Sequence, residues 1–77
     1  MEDPLEEAIR WYAEEITGRV SWALWIDLDW EDTADRIRAG IENGTVEWST
    51  EDCAPPLILL HGTEQIEQDM LAELSLA

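Results

Sequence analysis

The sequence predicts an α+β fold in which about three helices pack on a small three-stranded sheet, in the order α-β-α-β-β-α. Three observations support this prediction: apolar residues recur at helical spacing in three segments, alternate at period two in another, and form short runs between turn residues. A chain of 77 residues suits one small domain, so we expect residues 1–77 to form a single unit.

The first helix is expected to begin at Asp3-Pro4, because aspartate caps helices well and proline suits the first helical position. Apolar residues then share one face at helical spacing: Leu5, Ala8, Ile9, Tyr12, Ala13 and Ile16. Trp11 lies off this stripe, which makes it a candidate for exposure. Gly18 is expected to end the helix.

From Val20 to Trp30 the apolar residues alternate, which predicts a strand with one buried face. This register places Trp22 and Trp30 in the core and leaves the position of Trp25 open. A strand of this length at a sheet edge could pair with the same strand of a second copy, so a homodimer is one possibility that the pattern allows.

A second helix is expected from Asp32 to Glu42, with Asp32 as its N-cap and Asn43-Gly44 as its stop. Its inner stripe consists of Ala34, Ile37 and Ile41. Asp35, three residues after the predicted cap, completes a variant of the capping box.

Two short strands follow, Thr45 to Trp48 and Leu57 to Leu60, with a loop from Ser49 to Pro56 between them. The second strand is continuously apolar, which is typical of burial on both faces or of a strand that a helix covers. His61-Gly62 then turns the chain, and Thr63 is expected to cap the third helix. The inner face of that helix carries Ile66, Met70, Leu71 and Leu74.

The composition is strongly acidic: 19 aspartates and glutamates accompany four arginines and no lysine, giving a formal net charge of -15. Such an excess repels itself and weakens folding, so we expect its reason to be a basic partner, most commonly a nucleic-acid-binding protein or complex. The same charge and the lack of a basic patch argue against direct binding to nucleic acid or an anionic membrane. No apolar run approaches the roughly 20 residues of a membrane span, and a cytoplasmic location is expected.

Catalytic and metal chemistry have little support in the sequence. A single cysteine, Cys53, and a single histidine, His61, leave no intrachain disulfide and no cysteine-rich zinc site. The acidic run from Asp27 departs from the calcium-loop pattern, because Asp32 stands where glycine is required and Arg38 where glutamate is required. The sequence therefore predicts a non-enzymatic protein with no cofactor and no metal.

The predicted partner-binding residues are outward carboxylates of the first two helices and the acidic run between them, with a tryptophan as apolar anchor. They are Glu7, Glu14, Trp25, Asp27, Asp29, Glu31, Asp32 and Asp35. Trp11 is the alternative anchor.

In the middle of the chain, Trp25-Ile26-Asp27-Leu28 leads into the acidic second helix, which Glu47-Trp48 and Glu51-Asp52 follow. This order resembles the ArdA-type antirestriction proteins, in which a strand with a Trp-x-Asp element precedes an acidic helix. In size and charge the chain also resembles phage-encoded anti-CRISPR proteins. Both resemblances imply a DNA mimic, which presents carboxylates where a restriction enzyme or CRISPR effector expects phosphates.

Two alternatives stay open. Adaptation to concentrated salt would also produce an acidic chain without lysine, and the protein would then be a small interaction subunit or regulator. An antitoxin-like or chaperone-like protein that neutralises one basic partner would differ from a DNA mimic only in the identity of that partner.

Overall fold

A computed structural model of the chain describes residues 3–54 and 56–76. Within them the elements are α1 (Pro4–Leu24), α2 (Trp30–Asn43), β1 (Glu47–Glu51), β2 (Leu57–His61) and α3 (Thr63–Ser75). The α+β class is confirmed. The predicted three-stranded sheet is not confirmed, because these residues form a sheet of two antiparallel strands.

The missing strand is the predicted one at residues 20–30, which is divided between two helices and their connecting loop. α1 continues through Gly18 to Leu24, so the predicted stop at Gly18 is wrong. Glycine inside a helix costs about 1 kcal/mol relative to alanine. Here Ile16 and Val20 are both buried at helical spacing around it, and this tertiary burial keeps the helix continuous.

The helix ends follow local capping chemistry, although the cap of α2 is not the predicted residue. Asp3 caps α1 as predicted: its Oδ1 accepts a hydrogen bond from the backbone N–H of Leu5 at 3.0 Å. α2 is capped by Asp29 and begins at Trp30, so the prediction of Asp32 as its cap is wrong. Gly44, with a φ of 87°, ends α2 where expected.

The two strands pair from Glu47↔His61 to Glu51↔Leu57. β1 extends into the predicted loop and exposes every side chain. β2 is confirmed at Leu57 and packs against α1, as one of the two alternatives expected. It buries only Leu60 fully, so the other alternative, burial on both faces, is wrong. The loop that remains includes Pro55, which lies outside the described residues.

The turn before α3 requires glycine. Gly62 has a φ of 100°, and a Cβ at this position would collide with the backbone oxygen of Thr45. Gly62 precedes the helix, and Thr63 is its first residue and is buried, so the prediction of Thr63 as the cap is wrong.

The core lies where the three helices meet β2. Its fully buried apolar residues are Ile9, Ala13, Ile16, Val20, Ala34, Ile37, Val46, Leu60 and Met70. Two threonines cross it: the hydroxyls of Thr17 and Thr33 lie 2.7 Å apart, and Thr33 donates to the sulfur of Met70 at 3.6 Å. This chain of hydrogen bonds joins all three helices.

The molecule is elongated. Its principal extents are 42 × 22 × 19 Å, and its radius of gyration is 13.0 Å, against about 11–12 Å for a compact domain of this size. α1 accounts for most of the length, since 21 residues span about 31 Å of helix. Among the described residues no helix is long and apolar enough to cross a membrane.

Candidate functional site

All four arginines form ion pairs with carboxylates of the same chain. Three of the pairs join different elements: Arg19–Glu67 at 2.8 Å, Arg36–Glu73 at 2.7 Å and Arg38–Glu6 at 3.1 Å. The pairs within one helix are Arg10–Glu14, Arg19–Glu15 and Arg38–Asp35. Exposed pairs of this kind contribute about 0–1 kcal/mol each. Their main consequence is that no arginine is left to form a basic patch.

Two of these arginines are held in their charged form by their partners. A hydrogen bond to Glu73 raises the pKa of Arg36, and a hydrogen bond to Glu6 raises the pKa of Arg38. A raised pKa means that each guanidinium stays charged through the physiological pH range and loses its proton only in strong alkali. The internal neutralisation of these charges is therefore independent of pH in the physiological range.

The predicted site residues fall into separate groups. Glu14 and Asp35 bind Arg10 and Arg38 respectively, so part of their charge is neutralised within the chain. Glu7 lines an apolar groove between α1 and β2, beside Trp11. The other five lie at the corner where the chain passes from α1 to α2, with no arginine within ion-pair distance: Trp25, Asp27, Asp29, Glu31 and Asp32.

Most of the acidic residues at this corner have a local structural role. Asp29 caps α2, and Glu31 and Asp32 lie in its first turn, where the helix dipole favours negative charge. Asp27 has no such role. It is exposed in the irregular segment between α1 and α2 and forms no hydrogen bond or ion pair within the described residues.

Two exposed tryptophans lie beside Asp27. Trp22 and Trp25 are 73% and 83% exposed, and their ring centroids are 5.4 Å apart at an interplanar angle of 33°. They line one shallow groove with Ser21, Ile26 and Asp27. We name Trp22, Trp25 and Ile26 the aromatic corner. The prediction of Trp22 as a core residue is wrong, because α1 continues through it and turns it outward, whereas Trp30 packs against the core.

Trp25 adopts an unusual backbone conformation. Its φ of 56° and ψ of 44° are left-handed, and every other described residue with positive φ is a glycine. The conformation ends α1, since the N–H groups of Trp25 and Ile26 both donate to the carbonyl of Ser21. A left-handed residue other than glycine costs about 1–2 kcal/mol. At so exposed a residue the ring contact with Trp22 offsets only part of this cost, and strain of this kind makes Trp25 a candidate for a functional role.

The remaining tryptophans have other surroundings. Trp11 is 59% exposed and contacts the edge of Tyr12, at the groove that Glu7 also lines. Trp48 is an exposed residue of β1. Trp30 lies under the guanidinium of Arg10, 5.0 Å from the ring centroid.

The two residues with nucleophilic or acid–base potential lie near the sheet. Cys53 is exposed in the turn after β1. The imidazole Nε2 of His61 lies 3.1 Å from the hydroxyl of Ser49 on the neighbouring strand. In the part of the chain that the structure describes, no three histidine, cysteine or acidic side chains are placed to hold a metal ion.

Comparisons of this chain with protein-family models, curated proteins and solved structures give no match. The resemblances to antirestriction and anti-CRISPR proteins therefore stay predictions. The antirestriction resemblance implied a strand at residues 25–28, and here these residues form a left-handed turn and an irregular loop.

Proposed function

We propose that this protein is a non-enzymatic inhibitor that binds the nucleic-acid-binding surface of a host defence complex, either a CRISPR effector or a restriction enzyme. The observation that carries the proposal is the pairing of every arginine with a carboxylate, on a chain whose net charge is -15. The surface is thereby left without a basic patch that would repel a cationic partner.

The dimensions support mimicry of a short duplex. Over the 42 Å length of the molecule, duplex DNA carries about 25 charges, so the protein has about three-fifths of the linear charge density of DNA. A field of this size accelerates association with a basic surface and makes the complex strongly sensitive to salt. Inhibition follows from occupying the DNA site and needs no catalytic step.

The net charge speeds association with the partner, and the corner between α1 and α2 forms the contact with it. Asp27, Asp29, Glu31 and Asp32 are exposed there, and within the described residues none of them forms an ion pair with an arginine, although the charge of Asp32 also acts on Arg36. Trp25 supplies apolar area next to them, as anchor residues of protein interfaces commonly do. Glu7 and Glu14 on α1, and Asp35 on α2, contribute to the field at a greater remove.

The halophilic alternative has one supporting observation of its own. The carboxylates lie on all three helices and on β1, and lysine is absent, as expected if the charge serves solvation in concentrated salt. A partner-binding protein must fold in dilute buffer, whereas a halophilic domain needs molar salt to screen its repulsion. A cooperative thermal melt at low ionic strength would support the inhibitor and count against the halophilic subunit.

The proposal is tested by capturing the partner from the native host in physiological salt and challenging the complex with duplex DNA. Displacement of the protein by DNA from a nucleic-acid-binding complex is the expected result. A partner that binds DNA and this protein at the same time would contradict mimicry. An antitoxin-like role would appear as a basic partner with no affinity for DNA.

Two charge-matched variants then test the location of the contact. The corner variant carries Asp27→Asn, Asp29→Asn, Glu31→Gln and Asp32→Asn, and Asn at position 29 keeps the helix cap. The control variant changes four exposed carboxylates that also have no arginine partner, namely Glu42, Glu47, Glu51 and Glu64, each to glutamine. We expect the corner variant to bind at least about tenfold more weakly than the control. Equal binding by the two variants would refute the assignment of the corner.

A further inference from the structure

We propose that the aromatic corner and Asp27 form a binding site for an arginine side chain of the partner. The guanidinium stacks on the rings of Trp22 and Trp25 and donates hydrogen bonds to the carboxylate of Asp27. This inference rests on the proposed function only in requiring a partner with exposed arginines.

The geometry of the two indoles suits a flat cation. Their rings are tilted by 33° with centroids 5.4 Å apart, and together they present a broad exposed π surface. A cation over the face of tryptophan is attracted by the ring quadrupole, and tryptophan is the best of the aromatic residues for this purpose. Arginine stacks on such a surface better than lysine because its guanidinium is planar and weakly hydrated.

The molecule already contains one arrangement of this kind. The guanidinium of Arg10 lies 5.0 Å from the ring centroid of Trp30, and its Nε donates to Glu14 at 3.3 Å. The aromatic corner brings together the same groups, an indole face and a neighbouring carboxylate. The chain's own arginines are bonded to glutamates elsewhere, so an arginine at the corner must come from another molecule.

The backbone holds the corner ready for binding. The carbonyl of Ser21 accepts hydrogen bonds from the N–H groups of both Trp25 and Ile26, which fixes the turn that places Trp25 beside Trp22. A site fixed before binding loses less conformational entropy when the ligand arrives. This advantage gives a reason for the strained left-handed conformation of Trp25.

The adjacent surface of α1 permits close approach by a partner. Gly18 is exposed in the middle of the helix, and a Cβ placed on it would meet nothing within 4 Å. The fold itself therefore gives no reason for glycine there. Gly18 lines a groove with Trp22, Glu14 and Glu15, and the missing side chain lets a partner backbone come near the helix at that point.

The identity of the occupant follows from charge. A second copy of this chain is disfavoured, because each copy has a net charge of -15 and its arginines are engaged. An anionic membrane is repelled for the same reason. A cationic protein surface is the occupant that the field attracts, and the indole pair selects arginine within it.

The test uses two short peptides of equal length and charge, one of arginines and one of lysines, titrated into the protein with nitrogen-15 label. The five indole N–H signals are first assigned by single substitutions. We expect the arginine peptide to shift the signals of Trp22 and Trp25 and to bind about threefold more tightly than the lysine peptide. Asp27→Asn should weaken binding of the arginine peptide, whereas Glu51→Gln, the matched change on β1, should leave that binding nearly unchanged.

Equal effects of the two peptides, or larger shifts at Trp11 and Trp48 than at the corner, would overturn the site. Circular dichroism shows whether each variant is folded, and Trp25→Gly tests the site with a change that removes backbone strain.

The outcome of the peptide test is separate from that of the DNA competition. If DNA displaces the protein but the arginine peptide does not select the corner, the arginine site fails and the inhibitor proposal stands. If the peptide selects the corner but DNA does not compete, the site stands and the inhibitor proposal fails.

Discussion

Replacing Trp25 with glycine should leave the stability of the fold nearly unchanged and remove the partner contact. The substitution relieves the left-handed strain at a φ of 56°, a gain of about 1–2 kcal/mol. It loses the ring contact with Trp22, about 0.5–1.5 kcal/mol. Glycine also gives the unfolded chain more freedom, which costs the fold about 0.4–1 kcal/mol. The net change in the free energy of unfolding therefore lies between a gain of about 1 kcal/mol and a loss of about 1.5 kcal/mol.

Alanine at the same position separates the backbone effect from the side-chain effect. Trp25→Ala loses the same ring contact but keeps a Cβ in the left-handed conformation, so it should be less stable than Trp25→Gly by about 1 kcal/mol. Urea unfolding followed by far-UV circular dichroism measures both variants, with equal slopes indicating an unchanged unfolding transition. Trp48→Ala, at an exposed tryptophan of β1, is the control for partner binding.

Three results would contradict the role assigned to Trp25. A loss above about 2 kcal/mol in the glycine variant would show that the indole stabilises the fold, and its strain would then need no functional explanation. Equal stability of the glycine and alanine variants would show that the left-handed penalty is no larger than the roughly 0.4–1 kcal/mol that glycine costs through the unfolded chain. Full partner affinity in Trp25→Gly, with Trp48→Ala also unaffected, would remove Trp25 from the interface.

Three further predictions concern the fold. Thr33→Val should lower the free energy of unfolding by about 1–3 kcal/mol, because the buried hydroxyl of Thr17 loses its acceptor. In a double-mutant cycle measured by urea unfolding, valine at both positions should cost less than the sum of the two single changes. Strict additivity would contradict the hydrogen bond. Gly18→Ala should raise the free energy of unfolding by about 1 kcal/mol. Gly62→Ala should lower it by more than that, because the φ of 100° at Gly62 and the nearby carbonyl of Thr45 exclude a side chain. Thermal melts in which Gly62→Ala is the more stable variant would contradict both assignments. Raising NaCl from about 0.1 M to about 1 M, which shortens the Debye length from about 10 Å to about 3 Å, should raise the Tm of the native protein, and a Tm that falls would show that its ion pairs outweigh its net repulsion.

The parts of the fold that the sequence predicts correctly have strong local signals. Asp3-Pro4 marks the start of α1, and Asn43-Gly44 marks the end of α2, because each pair has one chemically favoured position at a helix end. The cap of α2 was predicted three residues too late. Asp29 and Asp32 are both competent caps, and the choice between them depends on where Trp30 packs, which is tertiary information.

The strand predicted at residues 20–30 failed for a different reason. Residues 16, 20 and 24 fit a helical stripe, while residues 20, 22 and 24 fit an alternating one, so the apolar pattern is compatible with both periods. The structure selects the helix because Ile16 and Val20 are buried against the other helices. The alternating pattern was favoured by counting Trp22 as a core residue, and nothing in the local sequence shows that it is exposed.

The failed prediction and the candidate site coincide, and the proposed binding role of the exposed tryptophans would explain why. Hydrophobic periodicity predicts structure only where apolar residues serve the core, so a partner-binding apolar pair breaks the pattern at its own position. The long edge strand on which a homodimer rested is absent, and an exposed indole pair would itself invite self-association. The charge of -15 opposes that association by repulsion between copies and attracts cationic partners to the same surface. In the proposed function, the acidic surface and the aromatic corner therefore act together. The charge prevents self-association through the exposed indoles until a basic partner covers them.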